Sequence, residues 1–227
     1  MNKLAVVTGT SGQLGPVWVE TLHEMNFRIF QMDLPYYDVA KKESVIKASS
    51  ACSNHWGIPE VLVLNAAIDN PPGSAATFHG NLEQILNVNL MGAARVVEAF
   101  LPSMIDKGKG TIIAIGSIQG FIGADWRNYE GGFEKPVGYN LSKAGLMQYV
   151  RSLTVQYGRY GIRACCIAFG PYDGGKIPKA FLDKFLRNVP MGHAVSRNDL
   201  KAALRFAVEC ESFAGQTVLV DGGYVAW

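Results

Sequence analysis

Short apolar runs alternate with longer helical patterns along this chain, and that alternation constrains the fold more than any other feature. Apolar runs of strand length separated by helical segments predict a parallel sheet with crossover helices. A length of 227 residues fits one such domain, so we expect a doubly wound α/β sheet over residues 1–227. The predicted strands are 4–7, 28–32, 61–64, 111–115, 163–168 and 217–220, and the predicted helices are 13–25, 41–55, 82–106, 137–160, 179–187 and 198–210.

Composition excludes several classes of partner. A net charge of +2, with no basic cluster interleaved with aromatics, argues against nucleic acid and against an anionic membrane surface. No apolar run approaches 18 residues, so we expect no membrane span. The first strand begins almost at the N-terminus with no signal-peptide pattern, which predicts a reducing, cytoplasmic location.

The cysteines and histidines carry no metal-ligand pattern. None of the four cysteines forms a Cys-x-x-Cys pair or stands beside a histidine at ligand spacing, so we expect no metal. Cys165 and Cys166 lie inside an apolar run, which predicts buried, unreactive thiols.

A glycine-rich turn joins the first predicted strand to the first predicted helix. Gly9 permits the tight turn, Gly12 leaves room for a phosphate, and Gly15 lets the helix pack close to the strand. The unpaired N–H groups at the helix start would face a pyrophosphate. We therefore predict a dinucleotide site, to which Ser11, Gln13 and Leu14 of the same turn also belong.

Asp33 ends the second predicted strand, eighteen residues after Gly15. A carboxylate at that place accepts hydrogen bonds from ribose hydroxyls and repels a 2′-phosphate. One like-charge contact near 4 Å costs about 4 kcal/mol at an effective dielectric of 20. Because Leu34 follows and the turn has no Lys or Arg, NAD is favoured over NADP.

Tyr139 and Lys143 stand four residues apart in a predicted helix, and Ser117 ends an apolar run upstream. Residues at that spacing share one helix face. A neighbouring ammonium stabilises a phenolate, so we expect Lys143 to lower the Tyr139 pKa from about 10 towards neutrality, where an acid or base works best. The Ser117 hydroxyl could then hold the reacting oxygen.

These motifs together resemble the short-chain dehydrogenase/reductase family over nearly the whole chain, which implies a Rossmann-type fold and oxidoreductase activity. By the resemblance, Tyr139 exchanges the substrate hydroxyl proton, and Lys143, aided by the positive nicotinamide ring, lowers the pKa of Tyr139 and binds the nicotinamide ribose. Ser117 bonds the substrate oxygen, and Asn89 holds a water near Lys143. The other positions that match family motifs are Asp38 for the adenine, Asn65 and Ala66 after the fourth family strand, Gly170, Pro171 and Tyr172 beside the nicotinamide, and the 221–223 segment after the last strand.

The chain departs from the family pattern near the adenine and nicotinamide sites. Only four residues separate Asp33 from Asp38, so the family's third strand and the helix before it are predicted to be shortened or missing. Tyr36 or Tyr37 could then form the adenine pocket in place of Asp38. The glycine spacing resembles the extended branch of the family, but the short chain argues against that branch. Two substitutions in the nicotinamide region, Ala67 for glycine and Gly174 for threonine, make a different carboxamide site possible.

A polar and aromatic insert within residues 119–136 separates Ser117 from Tyr139. Gln119 borders the site, Trp126 or Tyr129 could stack on a sugar face, and Arg127 could pair with a carboxylate or phosphate. An interface or capping loop is the alternative interpretation of this segment. The insert and the final residues 221–227 are similar to family members linked to bacterial surface-sugar synthesis, such as that of nonulosonic acids.

The predicted function is NAD-dependent hydride transfer between nicotinamide and a secondary alcohol or ketone, with a sugar derivative among the candidate substrates. Two alternatives stay open: a sugar epimerase or dehydratase that retains its NAD, and a catalytically silent dinucleotide sensor. The expected partner is a small-molecule substrate. A homo-oligomer, dimer or tetramer, is expected by family analogy through helices 82–106 and 137–160, whose outer faces the sheet does not cover.

Overall fold

In the computed structural model, which describes residues 3–70, 77–129, 133, 135–175 and 177–226, six parallel strands form one sheet. Each predicted strand is present, and none is more than two residues longer than predicted. The strands are β1 (Lys3–Thr8), β2 (Phe27–Met32), β3 (Val61–Leu64), β4 (Gly110–Ile115), β5 (Ile162–Phe169) and β6 (Thr217–Val220). Their spatial order is β2-β1-β3-β4-β5-β6, so β1 and β3 are neighbours inside the sheet.

Helices cover both faces of the sheet, which confirms the doubly wound architecture. Proline at the start of α1 and the Ser196–Asp199 capping box of α7 mark helix beginnings that local sequence favours. The helices are α1 (Gly15–Glu24), α2 (Lys42–His55), α3 (Leu82–Leu86), α4 (Ala93–Lys107), α5 (Val137–Tyr157), α6 (Lys179–Leu186) and α7 (Arg197–Glu209).

Alternate residues of each strand supply two separate cores. Along β3, Leu62 and Leu64 pack towards α2, α4 and α5, whereas Val61 and Val63 pack towards α1 and α7. All four β3 side chains are buried, because a parallel strand with helices on both faces has no solvent side. This is why the strands could be predicted from continuous apolar runs.

The strand β2 lies at the edge of the sheet, since the described residues contain no strand beyond it. The chain passes from Asp33 at the end of β2 to Lys42 at the start of α2 through turns alone. The predicted loss of the family's third strand and its preceding helix is therefore confirmed. The cleft beside Asp33 is consequently bordered by a short loop.

The helix predicted over residues 82–106 is interrupted by a π-helical segment, Asn87–Gly92, between α3 and α4. Inserted π turns shift the side-chain register and are frequent at functional sites. Here the segment turns Asn89 inward, where it is 1% exposed.

The run Leu82–Lys107 has the length and composition of a membrane span, with a mean hydropathy of 1.2 in its most apolar window. This is weak evidence, because core helices pass the same test. Val96, Phe100 and Met104 of this run are fully buried in the core, and 39% of the apolar window is buried.

A third, smaller core lies beyond the carboxyl edge of β4 and β5. Ile118, Phe185 and Tyr224 form it, with the Tyr224 ring stacked 4.3 Å from that of Phe185. Asp221 holds the final turn by accepting hydrogen bonds from the backbone N–H groups of Gly223 and Val225, both at 2.9 Å. This core joins the C-terminal residues and α6 to the insert before α5.

Candidate active site

A cleft of about 410 Å³ opens at the carboxyl edge of the sheet, where β1 and β3 meet and the crossovers diverge. In open α/β sheets this switch point is where ligands bind. Glycine-turn residues, Asp33, the loop after β3, Tyr139 and Lys143 line it. A larger depression of about 780 Å³, bordered by Lys3, Glu60 and Lys109, lies at the opposite, amino edge of the strands and contains none of the predicted catalytic side chains.

The glycine turn has the geometry that the sequence predicts. Gly9 has a φ of +66°, and a Cβ there would lie 2.8 Å from the Ala66 Cα atom. A Cβ on Gly15 would lie 2.5 Å from the Gly9 carbonyl oxygen, so only glycine lets α1 begin so close to the turn. Gly12, Gln13 and Leu14 line the cleft with Gly9.

Asn65 holds this turn from the neighbouring strand. Its amide nitrogen donates to the carbonyl oxygens of Thr8 and Gly9 at 2.9 and 2.8 Å, and its oxygen accepts from the Trp18 indole at 2.8 Å. The Thr8 hydroxyl in turn accepts from the backbone N–H groups of Asn65 and Ala66 at 2.9 and 3.0 Å. Asn65 and Ala66 border the cleft, and Asn65 also fixes its floor.

Asp33 faces the start of the glycine turn. One carboxylate oxygen accepts from the Ser11 N–H at 2.5 Å and from the Thr10 hydroxyl at 3.2 Å, and the other accepts from the Leu34 N–H at 2.8 Å. Partial burial alone would raise the Asp33 pKa, but these hydrogen bonds together hold it below its usual range. Asp33 is therefore anionic at neutral pH.

Asp38 also lines the cleft, but its carboxylate has local partners. It accepts from the Ala40 N–H at 2.9 Å and lies 3.6 Å from the Lys41 ammonium. Tyr37 borders the cleft beside it, whereas Tyr36 is 80% exposed and does not. Of the two tyrosines considered for an adenine pocket, the structure places only Tyr37 there.

Tyr139 and Lys143 lie together on α5 at the inner end of the cleft. The Lys143 Nζ atom lies 5.4 Å from the centre of the Tyr139 ring and donates to the Ile115 carbonyl oxygen at 2.7 Å. Burial lowers the pKa of Lys143 to about 8. Burial also raises the pKa of Tyr139 well above its usual range, Asp69 adds to this, and a hydrogen bond with Ser117 only partly opposes it.

In the protein alone the Lys143 ammonium donates to a backbone carbonyl, and burial raises the pKa of Tyr139. The expected acidic phenol, to which the positive nicotinamide ring contributes together with Lys143, stays a prediction for the complex with the dinucleotide.

Ser117 and Asn89 support Tyr139 in different ways. The Ser117 side chain lies close enough to lower the pKa of Tyr139 slightly against the effect of burial, and its hydroxyl accepts from the Gln119 N–H at 3.2 Å. The Asn89 side chain exchanges two hydrogen bonds with the Ile68 backbone at 2.8 and 2.9 Å and donates to the Ser142 hydroxyl at 3.1 Å. Its amide is thus occupied by protein partners and fixes the loop after β3, while the water expected near Lys143 stays a prediction.

A second cavity of about 630 Å³ adjoins the insert. Of the residues predicted to contact substrate, Gln119, Trp126 and Tyr129 line it, together with Phe78, Phe121 and Asn140. Trp126 is 79% exposed at its rim, while Tyr129 packs on Phe181 with 5.2 Å between ring centres.

Arg127 does not lie at this cavity, so a substrate contact by its side chain stays a prediction without support from its position. Its guanidinium makes two hydrogen bonds to the Asp125 carboxylate at 2.8 and 2.9 Å, and it does not line this cavity. The cation at the cavity is Lys135, which the sequence interpretation missed because the residue carries no motif.

Lys135 pairs with Asp69 and donates to the Asn70 carbonyl oxygen at 3.2 Å. Its Nζ atom lies 5.1 Å from the centre of the Tyr139 ring. Asp69 was missed as well, since the two residues stand 66 positions apart. Only the fold brings this pair to the catalytic tyrosine.

Gly170, Pro171 and Tyr172 lie beside the turn but do not line the cleft. Gln13 donates to the Tyr172 carbonyl oxygen at 3.4 Å, which links this loop to the glycine turn. A Cβ on Gly174 would lie 2.6 Å from the Gln13 amide nitrogen. A threonine here would require the Gln13 side chain to move.

The cleft fits a dinucleotide. The turn has no side chain where a phosphate would approach, Asp33 is an anionic acceptor at one end, and Lys143 lies at the other. Among the described residues no group of three or more His, Cys, Asp and Glu side chains could hold a metal. Burial raises the pKa of the Cys165 and Cys166 thiols to about 12 and about 11, in agreement with unreactive thiols.

Comparisons with known proteins identify the family of this chain. A family model described as enoyl-(acyl carrier protein) reductase matches residues 20–225. The acetoacetyl-CoA reductase of Synechocystis is 26% identical over 98% of this chain and 96% of its own. The 3-oxoacyl-(acyl-carrier-protein) reductase FabG of Chlamydia trachomatis is 28% identical over 96% and 85%.

The fold also matches a solved structure. A gluconate 5-dehydrogenase of Burkholderia cenocepacia, in complex with NADP and tartrate, superposes with a TM-score of 0.80 at 21% identity, over 99% of this chain and 96% of that one. That likeness shows the fold alone, whereas the family model spans most of the chain. The chain belongs to the short-chain dehydrogenase/reductase family of oxidoreductases.

Proposed function

We propose that this protein catalyses NAD-dependent interconversion of a secondary alcohol and a ketone. The observation that carries the proposal is the convergence of Ser117, Tyr139 and Lys143 at the inner end of a cleft that begins at the glycine turn. A nicotinamide supplies hydride transfer when bound and, in its oxidised form, the positive charge that Tyr139 lacks. A silent sensor would not need this set of side chains.

Each residue has a role that its contacts support. The Tyr139 oxygen gives a proton to the substrate oxygen in reduction and takes it back in oxidation. Ser117, which lies beside that phenol, donates to the same substrate oxygen and orients it. Lys143 donates one hydrogen bond to the Ile115 carbonyl oxygen, and its remaining N–H groups are free to donate to a ribose hydroxyl. Its positive charge favours the phenolate.

The preference for NAD rests on Asp33. Its carboxylate is anionic and lies at the mouth of the glycine turn, where a 2′-phosphate would meet like charge. The nearby cation is Lys41, which is paired with Asp38. The NADP bound to the Burkholderia gluconate 5-dehydrogenase is a property of that protein, with which this chain shares 21% identity.

The substrate proposed is a polar ring compound, with a sugar derivative as the first choice. The cavity beside Tyr139 combines aromatic faces with the amides of Gln119 and Asn140. Carbohydrate rings are bound by this combination of stacking and hydrogen bonding. The resemblance of the insert to surface-sugar enzymes supports the same class.

A 3-oxoacyl thioester is the second candidate, favoured by the names of the two curated relatives and of the family model. Such a substrate would place a flexible chain along Phe78 and Phe121 at the cavity wall. The two substrate classes predict opposite effects of added hydroxyl groups on the substrate. Hydroxyl groups should raise kcat/KM if the cavity binds a sugar and lower it if the cavity binds an acyl chain.

We also propose a cytoplasmic homo-oligomer, dimer or tetramer, with no nucleic-acid or membrane partner. The outer face of α4 and α5 carries a depression of about 890 Å³ bordered by Leu101, Ile105 and Tyr149. Val155 on the same helix is 87% exposed. Self-association through these helices would cover that apolar surface.

The test begins with thermal-shift titrations of NAD and NADP, followed by a screen of sugars, secondary alcohols, ketones and 3-oxoacyl thioesters for a change in NADH absorbance. Tyr139→Phe is the control: it should lose turnover by about 10²–10⁴-fold while NAD binding stays nearly intact. NAD that copurifies and is turned over without net NADH release would favour the epimerase alternative. Turnover by Tyr139→Phe close to the parent rate would contradict the proposal.

A further inference from the structure

Two oppositely charged side chains outside the family tetrad lie near the catalytic tyrosine. Lys135 lies in the insert just before α5, and its side chain is only 6% exposed. It pairs with Asp69 from the loop after β3 and is held by the Asn70 carbonyl oxygen at 3.2 Å. Its ammonium lies 5.1 Å from the Tyr139 ring centre, slightly nearer than the 5.4 Å of Lys143.

The pair links the linings of the two cavities. Asp69 and Tyr139 line the dinucleotide cleft, whereas Lys135 lines the cavity beside the insert. A nearly buried lysine needs a partner to remain charged, and Asp69 is that partner.

Resting on the proposed function, we propose that Lys135 and Asp69 form a positioning pair that sets the proton affinity of Tyr139. Lys135 is the second cation beside the ring, and it offsets the carboxylate of Asp69, which would otherwise oppose a phenolate. Neither residue transfers a proton or touches the reacting carbon. The insert thereby contributes to the acid–base step as well as to the shape of the substrate cavity.

The charged surroundings of Tyr139 allow these contributions to be separated. Lys143 faces it from α5 itself, Asp69 from the loop after β3 and Lys135 from the insert. Ser117 after β4 gives an uncharged hydrogen bond, and the Cys166 thiol of β5 acts on Lys143. Asp69 raises the pKa of Tyr139 and also that of Lys143.

The test is the titration of Tyr139 in the NAD complex, observed by NMR of ring-labelled tyrosine and assigned with Tyr139→Phe. Lys135→Met should raise the pKa of Tyr139 and Asp69→Asn should lower it, each by roughly one to two pH units. The double variant should return close to the parent. Lys135→Arg, which keeps the charge, should rescue the single variant.

A role limited to holding the loop predicts a different pattern. Breaking the pair from either side would then move the Tyr139 pKa in the same direction, or leave it unchanged, and either result would overturn the proposal. Arg127→Met is the matched control, because this insert cation is exposed and paired with Asp125 away from Tyr139. It should leave the titration unchanged, and thermal melts identify any variant that does not fold.

The same experiment separates this inference from the proposed function. If NAD binds the parent and lowers the Tyr139 pKa, but the two single variants titrate like the parent, the pair has no such role and the function stands. If NAD causes no shift in the parent, the proposed function fails first and the pair falls with it. With a substrate in hand, the pH profile of kcat should move in the same opposite directions.

Discussion

The glycine turn and the insert both border Tyr139, but they are held by different forces. The turn is fixed by backbone geometry and by the Asn65 side chain, which bonds the carbonyls of Thr8 and Gly9. The insert is held by ring packing, in which Tyr129 contacts Phe133 and Phe181 with 5.2 Å between ring centres. The first arrangement tolerates almost no change of residue, whereas the second depends on the sum of many weak contacts.

The largest expected effect is a break in the turn at Gly9. Gly9→Ala would place a Cβ 2.8 Å from Ala66 in a residue with a φ of +66°. Left-handed backbone costs about 1–2 kcal/mol and the overlap about 1–3 kcal/mol more. Urea unfolding should show that the free energy of unfolding falls by about 2–5 kcal/mol in all. NAD binding should be abolished.

Gly108→Ala is the matched control for that change. Gly108 has a nearly equal φ of +69°, and a Cβ there would have nothing within 4 Å. The free energy of unfolding of this variant should fall by only about 1–2 kcal/mol, since only backbone strain is added. Equal losses at the two positions would show that contact with Ala66 does not constrain the turn.

The two regions meet at Lys143, where burial should produce a pH-dependent stability. The folded pKa is about 8 against 10.5 for the free side chain. Below pH 8 both states are charged and the burial penalty is full. Between these values the unfolded state binds more protons, so stability should rise with pH, by at most about 3 kcal/mol.

Comparison with Lys143→Met isolates this contribution. The Cys52 and Cys165 thiols, whose pKa values are raised by burial, lower stability in alkali, but they do so in both proteins and cancel in the difference. The variant should therefore gain on the parent at neutral pH and lose that gain towards pH 10.5. Parallel stability profiles in urea would mean that Lys143 titrates like an exposed lysine.

The sequence predicted the dinucleotide half far better than the insert. Strands buried on both faces appear as apolar runs, and Gly9 and Gly15 occupy places where any side chain would collide. The missing strand followed from the few residues between Asp33 and Asp38. The π segment at Asn87–Gly92 and the Lys135–Asp69 pair were not predicted, because neither depends on local sequence alone.

Asparagine replacements compare the two regions directly. Asn65→Ala removes three side-chain hydrogen bonds around the turn, whereas Asn128→Ala removes one bond, at 3.3 Å, to the Tyr224 hydroxyl beside the insert. At about 1 kcal/mol for each bond, we expect losses of about 3 and about 1 kcal/mol. Denaturant melts of the two variants measure this ratio. A larger loss at Asn128 would reverse the assignment of which region is held by specific bonds.

The smallest expected effect concerns cofactor choice at Asp33. Asp33→Asn keeps an acceptor for the Ser11 N–H but removes the charge that a 2′-phosphate would meet. We expect the ratio of NAD to NADP affinity to fall about tenfold, or about 1.4 kcal/mol, less than the unscreened Coulomb energy because the site is partly exposed. Calorimetric titration with both dinucleotides gives the ratio directly.

Asp38→Asn is the matched carboxylate for that experiment, since Asp38 lines the same cleft but is neutralised by Lys41 at 3.6 Å. A carboxylate with its own cation presents little net charge to a phosphate, so this variant should change the ratio less than Asp33→Asn does. If the two variants change it equally, discrimination comes from the general negative potential of the cleft. If only Asp38→Asn changes the affinity ratio, the carboxylate that meets the 2′-phosphate is Asp38. The NAD preference would then depend on the short loop that replaces the missing strand.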